Sequence, residues 1–237
     1  MATLLLRLAG PLQSWGVRSR FVTRGTERAP SKSGVIGLLA AARGQLRTEP
    51  LDELRELTFG VRVDQPGELV RDFQTEASLD RKQVMPLSYR HYVGDAVFLA
   101  AVEHPELAFL EELKQALARP VFPLSLGRRS CPPDGPILTW IEEGDLLDSL
   151  SAAPWQASKR YQRASPEADP VLRILVDGRP GDEAAEQHQD DPISFNPERR
   201  EYGWRAVSAA DTRVPNLYFA GERAASHDPF ELLGEEA

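Results

Sequence analysis

Runs of apolar residues divide the first half of the chain into strands and helices. The clearest strand covers residues 96–102, a continuous apolar run typical of strands that are buried on both faces. The clearest helix covers residues 106–118, where leucines recur at helical spacing opposite glutamates and a lysine. The same half predicts strands at 3–9, 59–63 and 69–75 and helices at 34–43 and 51–57.

The helix predicted at 34–43 has recognisable ends. Ser31 or Ser33 can cap its start, and Gly44 follows its last residue. Lys32 stands beside the start, where free backbone N–H groups attract phosphate. Two interpretations stay open here. Lys32 and Ser33 bind a phosphate group, or Ser33 is only a cap and Lys32 only a solvated charge.

Two segments of this half lack regular periodicity. Residues 13–30 predict a long loop that carries Trp15 and Phe21 among arginines. Residues 76–92 have few apolar positions and end in Tyr89-Arg90-His91-Tyr92, which predicts a protruding thumb or arm. The order strand, helix, two strands, arm, strand, helix fits a ferredoxin-like, RRM-like α+β palm.

The second half is less regular and predicts an irregular extension that contains β-strands. The string LGRRSCP at 126–132 is a basic, turn-rich loop, and strands are predicted at 137–141, 171–176 and 203–207. Residues 177–201 are rich in acidic side chains, glycine and proline, which predicts a solvated acidic loop. We therefore expect a palm over 1–145 and an extension over 146–237 packed on it, with a frayed acidic tail after Ala220.

Composition narrows the class of protein. The chain has 237 residues, of which 41% are hydrophobic and 27% charged, so it can bury a core as one large domain or one domain with an appendage. It lacks an apolar run of the roughly 18 residues needed to cross a bilayer, and we expect a cytoplasmic protein with no membrane partner. The single cysteine and four scattered histidines predict neither a disulfide nor a bound metal or cofactor.

Charge is distributed unevenly along the chain. The net charge of −8 argues against a polyanionic partner. However, the first 48 residues carry eight basic side chains and one acidic side chain, so the remaining 189 residues carry −15. Seven of those eight basic residues are arginines, whose flat guanidinium suits phosphate groups and base edges. The asymmetry predicts an anion-binding face on an otherwise acidic body.

The pattern of nucleophilic and titratable residues in the sequence gives little support for a catalytic function. Cys131 lies beside Arg128 and Arg129, which could lower its thiol pKa, but a buried, unreactive cysteine is the favoured interpretation. His91 with Tyr89 and Lys82 could support metal-independent cleavage of RNA by general acid–base chemistry, which stays open as an alternative function.

Binding of single-stranded RNA accounts better for the pattern. Proteins hold such RNA in cationic grooves and stack its bases on aromatic or guanidinium planes. Trp15, Phe21, Tyr89 and Tyr92 lie among arginines in predicted loops. The alternative is that these rings only plug the edges of the core. A third interpretation is an adaptor whose basic loop binds acidic protein surfaces.

Four strings carry a resemblance to a known family. In order and spacing, LLLRLAGPLQSWG, PSKSGVIGLLAAARG, RDFQT and LGRRSCP resemble the CasD family, the single-copy subunit of the type I-E CRISPR Cascade complex. The resemblance covers residues 1–145 most strongly. It implies a palm of the repeat-associated RNA-binding superfamily and a non-catalytic subunit that caps one end of the complex and holds the 5′ handle of CRISPR RNA in antiviral defence. Similar type I-C subunits process CRISPR repeat RNA as endoribonucleases, whereas type I-E complexes leave cleavage to another subunit.

The resemblance also implies partners and site residues. The thumb at 76–92 would contact a CasC-type backbone subunit, and a CasA-type large subunit and, indirectly, target DNA are further expected partners. The loop from Gly10 to Trp15 with the following arginines would line the handle groove, Lys32 and Ser33 would meet a phosphate, and the LGRRSCP loop would close the groove. The expected RNA-binding residues are Gln13, Ser14, Trp15, Arg18, Arg20, Arg24, Lys32, Ser33, Arg71, Tyr89, Arg90, Arg128 and Arg129.

Overall fold

The described part of the chain contains ten strands and five helices. The computed structural model describes residues 1–16, 23–80, 82–178 and 184–219, and the main chain of 19–20. The strands are β1 (Ala2–Gln13), β2 (Ser19–Arg20), β3 (Thr23–Arg24), β4 (Thr58–Gln65), β5 (Glu68–Gln74), β6 (Ser88–His104), β7 (Leu138–Glu143), β8 (Val171–Asp177), β9 (Glu186–Ser194) and β10 (Glu201–Arg213). The helices are α1 (Lys32–Arg43), α2 (Asp52–Arg55), α3 (Leu107–Ala118), α4 (Leu146–Ala152) and α5 (Lys159–Ala164).

Ten strands form one large sheet in a mixed α/β fold. The sheet runs in the order β7, β1, β6, β4, β8, β10 and β9, and all of these neighbours are antiparallel. The first half of β6 extends beyond this body. There it pairs antiparallel with β5 on one side and parallel with the short strand β3 on the other. Strand β6 therefore joins the central sheet to a projecting hairpin.

Helices cover both faces of the sheet because β1 and β6 are apolar on both sides. Leu4, Leu6 and Leu8 belong to the main core, together with buried residues of α1 and α3. Leu5 points to the opposite face and shares a smaller core with α4. Both faces of β1 are thus withdrawn from water, which explains its near-continuous apolar sequence.

Helix α1 ends as its sequence predicts and begins at Lys32, two residues before the predicted range. The Ser31 hydroxyl accepts a hydrogen bond from the N–H of Gly34, so Ser31 rather than Ser33 is the N-cap. Gly44 ends the helix in the left-handed conformation at φ 78°, which favours glycine.

Several predicted bounds differ from the structure. Strand β1 does not stop at residue 9, its predicted end, but continues to Gln13, where it pairs with Val93. The arm predicted at 76–92 is a longer hairpin, because pairing between β5 and β6 already starts at Glu68 and continues to Ser88. We call residues 68–94 the hairpin.

None of the helices in the described part of the chain is both long and apolar enough to span a bilayer.

The segment 177–201 is not a loop throughout. Residues 186–194 form strand β9, which pairs with β10 and packs against α1. Its sequence, EQHQDDPIS, is polar and therefore does not predict a buried strand. In the structure, two of its acidic side chains form ion pairs rather than facing solvent. The expected tail after Ala220 lies outside the described residues.

A buried ion pair fixes α4 to the sheet. Arg62 and Asp64 on β4 are almost fully buried and form two hydrogen bonds of 2.8 and 2.9 Å with each other. The remaining guanidinium donors of Arg62 bind the carbonyl oxygens of Leu150, Ala153 and Pro154 at the end of α4. The pair is therefore satisfied on all sides, as a buried charge must be.

Removing one partner of this pair should destabilise the protein strongly. Arg62→Leu leaves the Asp64 carboxylate buried without its counter-ion, and we expect a loss of about 3–5 kcal/mol in the free energy of unfolding. Denaturant unfolding measures this loss. The control is Arg173→Leu, which removes the exposed pair of Arg173 with Asp211 at 3.4 Å and should cost at most about 1 kcal/mol. Equal effects of the two substitutions would contradict the role given to Arg62.

Candidate nucleic-acid interface

A groove of about 960 Å³ lies between helix α1, the segment 122–129 and the C-terminal strands. Its described lining residues include five arginines and no acidic residue. In a chain with a net charge of −8, such a lining concentrates positive potential in one concave surface. We call it the arginine groove; its arginines are Arg24, Arg47, Arg128, Arg129 and Arg200.

Small residues of α1 form the floor of the arginine groove. Gly34, Gly37, Ala40 and Ala41 all line it, so the helix backbone is close to the open space. At Gly34 a Cβ atom would lie 2.8 Å from the ring of Trp15, which is closer than side chains tolerate. Glycine at this position therefore lets the buried Trp15 ring pack directly against the helix.

Arg128 holds one wall of the groove together. Its guanidinium donates hydrogen bonds to the carbonyl oxygens of His91, Arg24 and Gly25 at 2.9–3.1 Å. It also lies over the ring of Tyr92, 4.9 Å from the ring centroid. All three acceptors are neutral, so Arg128 keeps its positive charge while it joins three chain segments.

The loop that presents Arg128 depends on a glycine. Gly127 has φ +91°, and a Cβ there would lie 1.8 Å from the carbonyl oxygen of Ser14. Only glycine allows this approach of the 126–132 loop to the end of β1. The close approach places Arg128 and Arg129 beside the groove.

The other arginines of the groove project outward. Arg24, Arg47, Arg129 and Arg200 are exposed, and the described residues supply none of their side chains with an ion pair. Their donors are free to bind an anion. Ser33, on the first turn of α1, also lines the groove.

Gln13, Ser14 and Trp15 are placed differently from the expectation, because their side chains are buried. The Gln13 amide donates to the carbonyl oxygen of Ala96 at 2.8 Å and accepts from the Trp15 indole at 3.0 Å. The Ser14 hydroxyl lies 3.4 Å from the carbonyl oxygen of His91. These side chains hold the end of β1 in place, although Ser14 and Trp15 also border the groove.

Lys32 needs a correction, since carboxylates of the same chain occupy its predicted phosphate position. Its amino group lies 3.0 Å from an oxygen of Asp177 and 3.6 Å from one of Asp191. Its main-chain N–H donates to Asp190 at 2.8 Å. Lys32 therefore fastens the C-terminal strands to the start of α1 and does not line the arginine groove.

Arg205 on β10 completes this arrangement. Its guanidinium lies 2.7 Å from carboxylate oxygens of both Asp177 and Asp190. Burial alone would lower the pKa of Arg205, but the hydrogen bonds and charges of Asp190 and Asp177 outweigh burial and raise it above its ordinary value. Arg205 therefore stays charged. We call Lys32, Asp177, Asp190, Asp191 and Arg205 the carboxylate cluster.

The expected site residues on the hairpin do not line the groove. The guanidinium of Arg71 lies over the ring of Tyr89, 5.5 Å from its centroid. Arg90 lies 3.3 Å from the carboxylate of Glu76. Arg18 and Phe21 lie outside the described residues, as does the side chain of Arg20.

Two of the candidate catalytic side chains have partners elsewhere on the hairpin. Lys82 lies on the loop of the hairpin, 3.9 Å from Asp80, whereas Tyr89 packs beside Arg71. Burial raises the pKa of the Cys131 thiol above its ordinary value, which keeps that thiol protonated and unreactive. Within the described ranges, no group of three or more histidine, cysteine or acidic side chains could hold a metal ion.

Sequence reasoning missed the contribution of the second half of the chain to the groove. Phe195, Arg200 and Tyr202 line it, as do Arg47 and Phe122. A signal for the first three was present, because Phe195 and Tyr202 flank two consecutive arginines, a pattern already used to select residues near the N-terminus. The acidic composition of the surrounding segment obscured it.

Comparison with known proteins identifies relatives over most of the chain. Residues 3–208 match the family described as CRISPR-associated protein (Cas_Cas5). The chain is 36% identical over 158 residues to the CRISPR system Cascade subunit CasD of Escherichia coli (strain K12), an alignment that covers 56% of this chain and 68% of that protein.

Solved structures show the same architecture. A chain of a CRISPR RNA-guided surveillance complex superposes with a TM-score of 0.74 at 34% identity, covering 92% of this chain and 93% of that one. A second structure, described as a Cas protein, gives a TM-score of 0.66 at 36% identity, covering 92% and 97% of the two chains. These similarities confirm the resemblance stated from the four sequence strings.

Proposed function

This chain belongs to the Cas5 family of CRISPR-associated proteins, and we propose that it is a CasD-type subunit of a type I-E Cascade complex that holds the 5′ handle of CRISPR RNA in the arginine groove. The observation that carries the proposal is the lining of that groove, which has five arginines and no described carboxylate. Single-stranded RNA is bound in grooves of this kind, where arginines track the phosphates.

The division of labour among the arginines supports the proposal. Arg128 is fixed by neutral carbonyl groups and supplies a constant positive potential to one wall. Arg24, whose carbonyl oxygen accepts from Arg128, and the adjacent Arg129 also line the groove, and Arg47 and Arg200 line it from other chain segments. The phosphates of a flexible single-stranded RNA can therefore bind arginines from several segments of the chain.

We infer further that residues 1–145 form a ferredoxin-like palm and the remaining residues a C-terminal extension. The order β7, β1, β6, β4 is the strand order expected of a split βαβ fold, with all neighbours antiparallel. Helices α1 and α3 share the core on one face of these strands. On this interpretation, the hairpin is the thumb.

The hairpin supports a second part of the proposal, contact with a CasC-type backbone subunit. Leu79, Phe73 and Met85 are more than half exposed, and Arg71 and Tyr89 lie on the same hairpin. Apolar side chains concentrated on one projection mark an interaction surface. A CasA-type subunit and, indirectly, target DNA are further partners in the proposed complex.

The subunit is proposed to be non-catalytic. Nucleophilic or acid–base chemistry requires side chains within hydrogen-bonding reach of one another. Lys82 pairs with Asp80 at the loop of the hairpin, and Tyr89 packs against Arg71, so both side chains already have partners.

The first test measures the salt dependence of RNA binding. Arg24→Ala and Arg129→Ala should each weaken binding of a single-stranded repeat-derived RNA and reduce the slope of log Kd against log salt by about 0.7–1. Arg173→Ala is the matched control, because Arg173 is exposed and pairs with Asp211 outside the groove. Fluorescence anisotropy over a series of salt concentrations measures the slope.

Two results would contradict the RNA-binding proposal. One is a slope that stays at the value of the unmodified chain in both groove variants. The other is association with partner subunits that survives complete RNase digestion while the chain alone shows no affinity for RNA, which would favour the protein adaptor.

A second experiment addresses catalysis. The purified chain incubated with repeat RNA in chelator should leave that RNA intact, as resolved on a denaturing gel. Cleavage by the chain that is abolished by His91→Ala would instead establish the metal-independent endoribonuclease.

A further inference from the structure

We infer that the C-terminal strands contribute a base-stacking surface to the arginine groove, in which Tyr202 and Phe195 receive an unpaired nucleobase of the bound RNA. The inference rests on the proposed RNA-binding function. It adds the nucleobase as a group that is bound, and it adds strands β9 and β10 as the part of the chain that binds it. Phosphate binding alone would not require either of them.

The surface is composed of two neighbouring rings. Phe195 follows β9 and Tyr202 lies on β10, and their ring centroids are 6.5 Å apart with an interplanar angle of 59°. Both rings line the groove and remain partly exposed. Phe195 rests against α1 at Gly37, where a Cβ would lie 3.6 Å from its ring. Phe195 thus supports Tyr202 from the side of the groove floor.

Charge and apolar surface are combined around these rings. Arg200, two residues before Tyr202, is exposed and lines the groove, so it can bind the phosphate next to a stacked base. Phe122 lines the groove as well and is 39% exposed. Aromatic surface beside an exposed guanidinium is the combination that binds single-stranded RNA without strong sequence preference.

The surface is held in place before RNA arrives. Asp190 on β9 accepts the main-chain N–H of Lys32, and Arg205, three residues after Tyr202, binds both Asp190 and Asp177. These contacts fix β9 and β10 against the first turn of α1. A rigid ring loses little conformational entropy on stacking, so this placement favours base binding.

The test combines variants of the chain with variants of the RNA. Full-length chain is titrated with a single-stranded repeat-derived RNA and with a series of the same RNA in which one base at a time is removed. For the unmodified chain, removal of one particular base should weaken binding by about tenfold, as expected for the loss of one stacked base. Tyr202→Ala should show the same loss with intact RNA and no further loss with that abasic RNA.

Matched variants separate stacking from folding. Tyr202→Phe keeps the ring and should bind like the unmodified chain, and Tyr161→Ala, which removes an exposed tyrosine of α5 outside the groove, should do the same. Thermal unfolding checks each variant. If Tyr202→Ala does not fold, Tyr202→Leu replaces it, because leucine keeps apolar volume without an aromatic plane.

The outcomes distinguish this inference from the proposed function. If RNA binding depends on Arg24 and Arg129 but Tyr202→Ala binds every RNA like the unmodified chain, the stacking surface is wrong and the RNA groove stands. If the unmodified chain has no affinity for RNA, both the stacking surface and the proposed RNA-binding function are wrong. If no single abasic position weakens binding, the stacking surface is again overturned.

Discussion

The carboxylate cluster is the interaction on which the rest of this structure depends. Asp177, Asp190 and Asp191 come from the most acidic part of the chain, and all three turn inward to meet Lys32 and Arg205. Buried charges are tolerated only when they are paired and hydrogen-bonded. The cluster meets this condition and in doing so fastens β8, β9 and β10 to the start of α1.

This arrangement decides where an anion can bind. The start of α1 is not available to phosphate, because Asp190 already accepts the N–H of Lys32. The three acidic side chains of the cluster pair with Lys32 and Arg205 and do not line the groove, so they leave the groove arginines available to an anion. The hydrogen-bond acceptors of Arg128 are likewise neutral carbonyl oxygens, so no carboxylate neutralises its positive charge. Intramolecular ion pairs thus remove some cations from the surface and leave others free.

Sequence reasoning succeeded where structure is set by local pattern. A serine cap before α1, the end of α1 at Gly44 and the apolar strand within β6 follow from residues close in the chain. Arg24, Arg128, Arg129 and Ser33, which the sequence predicts to bind RNA, line the arginine groove, and their binding of RNA stays a prediction. It failed where a side chain is paired over a long distance: Lys32 lies 145 positions before Asp177, and neither sequence neighbourhood indicates the other. Strand β9 was missed for the same reason, because buried ion pairs make a polar strand look solvated.

One measurement tests the central claim, that both halves of the chain form a single RNA-binding groove. Single-stranded repeat-derived RNA carrying 4-thiouridine is irradiated with the full-length chain, and mass spectrometry locates the cross-linked residues. The account predicts cross-links on both sides of the groove, in the segment 122–129 and in the segment 195–202. Cross-links confined to the hairpin, or to the exposed face of α5, would contradict it.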